Sequence, residues 1–334
     1  MAAPIEPASD KLITNPAAPT TPRGHTFHVH VKSGEVANRV LVVGDQTRAG
    51  RIAHLFDGGA PSPMTSDRGY ITYTGTFGGV GVTVCAHLIG FPNLDIVLHE
   101  LRFVCAGPMA VIRLGTCGGL GSTAPGTLSV PGGGAVLVRL EPDYRGPAPP
   151  PDAPGGLPSA ALPYSLSQLV LPDARLSELL SARVAAVIRE GLGEAWPVAL
   201  GGVHGTGDSF FSSQVRLRGC CGGGGANYPS CCLLHPQGRP SAAFDERNEG
   251  LIAAIAARVP GLATLEMETF HLFELARATA APSVDPRLRI YAAAAHMVIV
   301  NREPGGGSVQ AGDVPRLETL GGRAALEALT TFTF

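Results

Sequence analysis

Residues 111–119 read V-I-R-L-G-T-C-G-G, an apolar run that carries Arg113 into a stretch of three glycines and a threonine. The run has the length of a buried strand, and Gly115, Thr116, Gly118 and Gly119 suit a turn whose bare N–H groups approach an anion closely. A guanidinium, a hydroxyl and backbone donors at one spot answer the oxygens of a phosphate, because arginine pairs with such groups through two charge-assisted hydrogen bonds at once. The stretch therefore predicts a strand ending near Leu114 and an anion-cradling turn after it.

Two further arginines stand in similar settings. Residues 39–45, R-V-L-V-V-G-D, repeat the buried-strand pattern and end in Gly44-Asp45, with Arg48 opening a helix through Ile52 and Leu55. Ser66-Asp67-Arg68-Gly69 precedes an alternating strand that starts at Tyr70. Further strand patterns lie at 82–86, 134–138, 198–203 and 291–300, and helical patterns at 96–103, 176–190, 250–259, 269–278 and 317–329. Strands alternating with helices predict an α/β domain around a mixed sheet.

The ordered set of motifs resembles the nucleoside phosphorylase-I family, most closely its uridine phosphorylases. The family pattern is a G-D-x-x-R loop, an arginine before the next strand, R-x-G-T-x-G-G, F-x-x-x-Q-x-R, E-M-E and a late V-I-V-N-R strand. All six occur here in that order, from Gly44-Asp45 to Val298-Ile299-Val300-Asn301-Arg302. The resemblance implies a single α/β/α domain over residues 25–334 with a twisted, partly barrel-like sheet, and phosphorolysis of uridine to uracil and ribose 1-phosphate. It implies phosphate ligands Gly44, Arg48, Arg113 and Thr116, with Arg68 lent by a neighbouring subunit. Glu268 and Met267 would hold the ribose, with His28 (or His30) reaching the 5′-hydroxyl from the neighbour, and Glu266 would be structural. Gln214 with Arg216 or Arg239 would read the base, and Phe210 would stack on it. Arg113, Glu268 and Gln214 would carry the catalysis. Phosphate is then a co-substrate, and no cofactor or metal is implied; Gly69 replaces a glutamate that serves an interface cation in some bacterial members. Purine-specific relatives carry an S-D-H aspartate on the late strand, where this chain has Val298-Ile299-Val300. That difference favours a pyrimidine over the alternatives, a purine nucleoside phosphorylase or a nucleoside-binding relative without turnover.

Composition sets the outer bounds. The chain has 334 residues, 45 % hydrophobic and 16 % charged, with a net charge of −2, which fits a globular protein with a large core and no nucleic-acid footprint. Residues 1–24, rich in Ala, Pro and Thr, read as a disordered tail without signal-peptide character. No run approaches the ~20 apolar residues that span a bilayer, so a cytoplasmic location is expected; the residues lent by a neighbour in the family that the chain resembles imply a homodimer or higher homo-oligomer. Cys85, Cys105 and Cys117 have no paired spacing and read as reduced, buried thiols, and Cys220-Cys221 and Cys231-Cys232 lack the gaps of a zinc site.

Two segments interrupt the pattern. Residues 141–163 are mostly Pro, Ala and Gly and read as a surface excursion. Residues 215–237 are Gly-rich and aperiodic and split Gln214 from Gly238-Arg239, which without them would read Q-G-R. The segment begins with valine and ends with glutamine, compatible with a translated unspliced intron; a flexible native loop is the alternative. Its composition cannot offset an ordering cost of ~1–2 kcal/mol per residue. Deleting residues 215–237 is expected to raise both uridine turnover and thermal stability, with Arg239 then serving the base. Arg216→Ala and Arg239→Ala in each background check this, and activity lost only with Arg216 in the full chain would show the segment to be native.

Overall fold

The structure is a computed structural model that describes residues 19–141, 163–213, 248, 250–303 and 305–334. The suspected insert, with Gln214, Arg216 and Arg239, and nearly all of the 141–163 excursion lie outside the described residues. In chain order come β1 (Arg39–Val43), α1 (Gln46–Ala53), β2 (Met64–Thr65), β3 (Ile71–Phe77), β4 (Val80–Ala86) and α2 (Phe91–Val104). β5 (Met109–Gly119), β6 (Leu128–Val130), β7 (Ala135–Leu140), β8 (Tyr164–Leu166) and α3 (Ala174–Leu192) follow. β9 (Val198–Leu200), β10 (Val203–Gly207), α4 (Leu251–Arg258), β11 (Leu262–Glu266), α5 (Thr269–Ala278), β12 (Ile290–Asn301) and α6 (Asp313–Thr331) complete the chain.

All twelve strands join one mixed sheet whose main path runs β2-β3-β4-β1-β5-β11-β10-β7-β8. β5 is its branch point. Its first half pairs in parallel with β1, its whole length pairs in parallel with β12, and Gly118 and Gly119 pair antiparallel with Leu265 and Thr264 of β11. β12 also pairs with β6, and β6 with β9, which curls the sheet back on itself. The α/β class with a single twisted, partly closed sheet is thus the observed architecture.

Both faces of the central strands are covered, which is why they read as unbroken apolar runs. Leu41, Val43, Ile112 and Leu114 point to a core shared with α1, α3 and α6, whereas Val40, Val42 and Val111 point to one shared with α2 and α5. A third, smaller cluster joins Val138 and Leu265 to Leu251, Ile252 and Ile255 of α4. Among the described residues no helix is long and apolar enough to cross a membrane. Cys85, Cys105 and Cys117 are buried free thiols, and burial pushes Cys85 up to about 12 and Cys105 up to about 11.

Four features of the fold differ from what the sequence predicts. The strand at 111–114 does not end in a glycine turn; it continues through Gly119, because β12 pairs alongside it to the last residue. The strand expected at 198–203 is two strands broken at Gly201, whose φ of 85° turns the chain from β6 to a new pairing with β7 and β11. The helix expected from Ile96 starts at Phe91, since Pro92 suits a first helical turn and Gly90 takes a φ of 87° ahead of it. Thr20 to Gly24, counted with the tail, are folded: Thr20 bridges Thr26, and Thr21 is buried.

Gly119 makes this arrangement possible in one further way. A Cβ there would overlap the backbone carbonyl of Thr123 and lie 2.9 Å from Val298 Cγ1. Neither neighbour is a free side-chain end. Gly119→Ala is therefore expected to cost about 1–3 kcal/mol of unfolding free energy, as overpacking does, measured by urea denaturation.

Candidate active site

The carboxyl ends of β1, β4, β5, β10, β11 and β12 converge on one cavity of about 350 Å³, the kind of crevice in which open α/β sheets bind ligands. Gly44 and Asp45 reach it from the end of β1, Arg48 from the first turn of α1, and Leu88 and Ile89 from the loop after β4. Arg113, Thr116, Cys117 and Gly118 line it from β5, Phe210 from beyond β10, and Glu266, Met267 and Glu268 from the end of β11. Ile299, Val300 and Arg302 of β12 and its continuation close the remaining wall.

Three guanidiniums therefore share the cavity, each held differently. Asp45 caps α1 by accepting from the Arg48 N–H at 2.7 Å, and the Arg48 side chain donates through Nε to Glu318 of α6 at 2.9 Å and through Nη1 to the Leu114 carbonyl. Arg113 lies between two carboxylates, Nη1 at 2.9 Å from Glu266 and Nη2 in contact with Glu268. Its guanidinium folds back over Gly115, where any Cβ would overlap it, and Arg302 lies over Gly118 in the same manner. The glycines of β5 thus serve close approach of cations to a strand, and not a turn.

The two glutamates differ in electrostatic character. The Glu266 oxygens accept from the Thr206 hydroxyl at 2.7 Å and from the N–H groups of Glu268 and Thr269. Burial pushes this carboxyl up, but Arg113 and His204 outweigh it and hold Glu266 well below the usual carboxylate range. Glu268 accepts from the Gly90 N–H at 2.5 Å; burial, with Glu266 adding to it and Arg113 opposing, pushes its carboxyl up to about 7. One carboxylate is fixed as an anion, and its neighbour exchanges a proton near neutrality.

Behind Glu266, the rings of His204 and His296 stack 4.1 Å apart and 13° from parallel. These three side chains bring potential metal-donor atoms within 4.8 Å of one another. Parallel imidazoles do not aim their lone pairs at one point, and the Glu266 oxygens already accept several hydrogen bonds. The trio fits a packed support better than a metal centre: His296 Nε2 meets the Thr269 hydroxyl at 2.8 Å, and that hydroxyl in turn faces Arg113.

The structure thus gathers Gly44, Arg48, Arg113, Thr116, Phe210, Met267 and Glu268 on one cavity, and sets His28 and Arg68 apart from it. His28 Nδ1 meets Glu100 at 2.6 Å, the same carboxylate accepts from the His28 and Val29 N–H groups, and Arg68 lies over the Phe27 ring. His30 stacks on His25. The sequence reading assigned no role to Arg302 or Glu318. Arg302 follows the V-I-V-N strand and could have been found there as a cation entering the same crevice, whereas nothing local marks Glu318, 270 residues from its partner.

The family model of the phosphorylase superfamily matches residues 38–311. The chain belongs to that superfamily. A solved structure from work on uridine phosphorylases of the oomycete Phytophthora capsici is similar over 96 % of this chain and 98 % of its own, with 32 % identity and a TM-score of 0.78. Among curated proteins, a DeoD-type purine nucleoside phosphorylase of Geobacillus is 36 % identical over 95 residues, 28 % of this chain and 40 % of its own. A uridine phosphorylase of Thermococcus kodakarensis is 34 % identical over 102 residues, 30 % of this chain and 35 % of its own. The chain thus spans about two fifths of the length of the curated relatives it matches.

A carboxyl raised from its model-compound value of 4.5 to about 7 binds a proton in the folded state that the unfolded chain has lost, so stability from this group is fully present below about pH 4.5 and is lost as pH rises through 7. Across that interval the effect is about 3 kcal/mol. The unfolding free energy of Glu268→Gln, which cannot ionise, is expected to gain on that of the unsubstituted chain by roughly this amount between pH 4 and 8. Urea denaturation of both proteins across that range reads it.

Proposed function

We propose that this protein is a nucleoside phosphorylase that cleaves uridine with inorganic phosphate, giving uracil and ribose 1-phosphate. The observation that carries the reading is the meeting of Arg48, Arg113, Thr116 and Gly44 with Glu268 and Met267 on a single cavity. An anion held by the first group lies next to a sugar held by the second. A hydrolase attacking with water has no use for that many cations, and a bound phosphate needs them.

In this reading Arg48, Arg113 and the Thr116 hydroxyl hold phosphate beneath the sugar, and Met267 packs on the apolar side of the ribose. Glu268 turns from Arg113 to the 2′- and 3′-hydroxyls, where its charge eases the positive character that grows on the anomeric carbon. The glycosidic bond breaks, the electron pair leaves on uracil, and a phosphate oxygen forms the new bond to that carbon. Phe210 stacks on the base, and Gln214 with Arg216 or Arg239 reads its edge. Arg302, beside Ile299 and Val300, is the described cation best placed to receive the charge of the departing base. His28 and Arg68 would serve a neighbouring subunit's cavity, which makes the active form a homodimer or a larger homo-oligomer.

The purine alternative draws on the partial matches to DeoD-type enzymes. It needs an acid to protonate a purine nitrogen, and the wall at Ile299 and Val300 offers none. The nearest carboxylate along the chain, Glu303, instead accepts from the Gly121 N–H at 3.0 Å.

Base release from uridine and from inosine, each with and without phosphate, tests the proposal. Strict phosphate dependence with uridine preferred is expected, and Arg113→Ala should lower kcat/KM by about 10²–10³. Equal turnover without phosphate would overturn the phosphorylase reading, and faster inosine cleavage the pyrimidine one.

A further inference from the structure

His87 follows β4 and ties that strand's end to β1 through its N–H, which donates to the Val43 carbonyl at 2.8 Å. Its imidazole is fully buried, and neither ring nitrogen has a hydrogen-bond partner on another residue among those described. The ring lies directly behind the cavity wall: a Cβ added to Gly44 would stand 3.9 Å from its Cε1. A buried polar ring with both nitrogens unmet is uncommon, because each unmet group forfeits the hydrogen bonds it made to water.

Burial and the charges around it set its state. Arg113 of β5 and Arg48 of α1 act on it as cations and Glu266 at the end of β11 as an anion; Glu268 is held against Arg113. Burial first, and then Arg113 and Arg48, hold the imidazole well below its ordinary range, with Glu266 opposing. The same two arginines are the ones that line the cavity beside Gly44. An anion resting on them offsets the two cations that add to burial in keeping the ring neutral, and so favours the imidazolium.

Resting on the phosphorylase reading of this cavity, we propose that His87 is a proton-linked positioning residue for phosphate: binding of phosphate on Arg48 and Arg113 draws one proton onto its imidazole. With the dianion the proton comes from solvent; with the monoanion it comes from the phosphate itself, leaving a bound dianion beside an imidazolium. Either way the ring gains a donor on each nitrogen and a charge that holds the Gly44 wall toward the anion.

Isothermal titration of inorganic phosphate into the full chain at pH 7.5, in buffers of differing ionisation enthalpy, counts the protons taken up. Uptake is expected to be about one proton per phosphate greater in the unsubstituted protein than in His87→Gln, which keeps a polar side chain but cannot titrate, because phosphate's own ionisation and that of Glu268 are common to both; phosphate affinity in the variant should fall about tenfold. Glu268→Gln serves as the control for the other group that titrates near neutrality, and should retain the His87 component. A folded His87→Gln protein with undiminished proton uptake overturns the proposal, as does uptake lost only in Glu268→Gln. Should His87→Gln fail to fold, His87→Asn and the imidazole 15N shifts of the unsubstituted protein, with and without phosphate, read the same protonation, and unchanged shifts overturn it. A folded protein that binds no phosphate at all overturns the phosphorylase reading and this proposal together, whereas phosphate binding without the His87 proton overturns the proposal alone.

Discussion

Arg113 is suspended between Glu266 and Glu268, all three nearly buried at the wall of the cavity, and the surrounding structure is arranged around that contact. Taking three charges out of water costs several kcal/mol per ion unless the geometry is good and every remaining lone pair is met. Here the acceptors are met: Glu266 takes N–H groups from Glu268 and Thr269 and the Thr206 hydroxyl, and Glu268 takes the Gly90 N–H. Those donors come from β10, from the start of α5 and from the loop before α2. The antiparallel pairing of β11 with Gly118 and Gly119 sets the glutamates at the right height along β5. Replacing the trio by apolar residues would simplify the core, but the cavity would then lose its charge.

The arrangement leaves an imbalance that a ligand can use. Two carboxylates face one guanidinium, so an anion entering the cavity would have to compete with Glu268 for Arg113. Because Glu268 ionises near neutrality while Glu266 stays charged, the burden of that competition falls on one side chain. Arg48 is spared it: its counterion, Glu318, sits on α6 and approaches from behind, leaving the front of the guanidinium to the cavity. α6 thereby holds a cation of the cavity in place without lining the cavity itself.

Much of this was legible in the sequence, and the parts that were not have physical reasons. Apolar runs of the right length located the central strands, since burial on both faces leaves a strong compositional mark. The motif order gathered Arg48, Arg113, Thr116, Met267 and Glu268 before any coordinates did. The glycines of 115–119 were misread as a turn because glycine marks two different needs, positive φ and close approach, and only the position of Arg113 and Arg302 over the strand separates them. The split between β9 and β10 was hidden because an apolar run looks the same whether it stays with one neighbour or changes partner at Gly201. Glu318, His87 and the stacked His204 and His296 carry no local signal. Their importance arises from tertiary contact with charges far away in sequence.

The character of the wall at Ile299 and Val300 bears on how sharply such a site can discriminate. An apolar surface rejects a ligand weakly, because a misfit of a few atoms in a hydrophobic pocket is worth only ~1–3 kcal/mol, whereas a missing hydrogen-bonding or acid group removes a specific stabilisation of the leaving base. Under the proposed function, selectivity between pyrimidine and purine would therefore rest less on exclusion than on which leaving group the available side chains can stabilise. A uracil anion is served by a cation such as Arg302. A purine leaving group is served by a proton that no carboxylate on this wall supplies. With phosphate and ribose held by Arg48, Arg113 and Glu268 as proposed, those ends would be indifferent to the base, so a superfamily could keep them unchanged while a few positions on one strand redirect the chemistry at the other end.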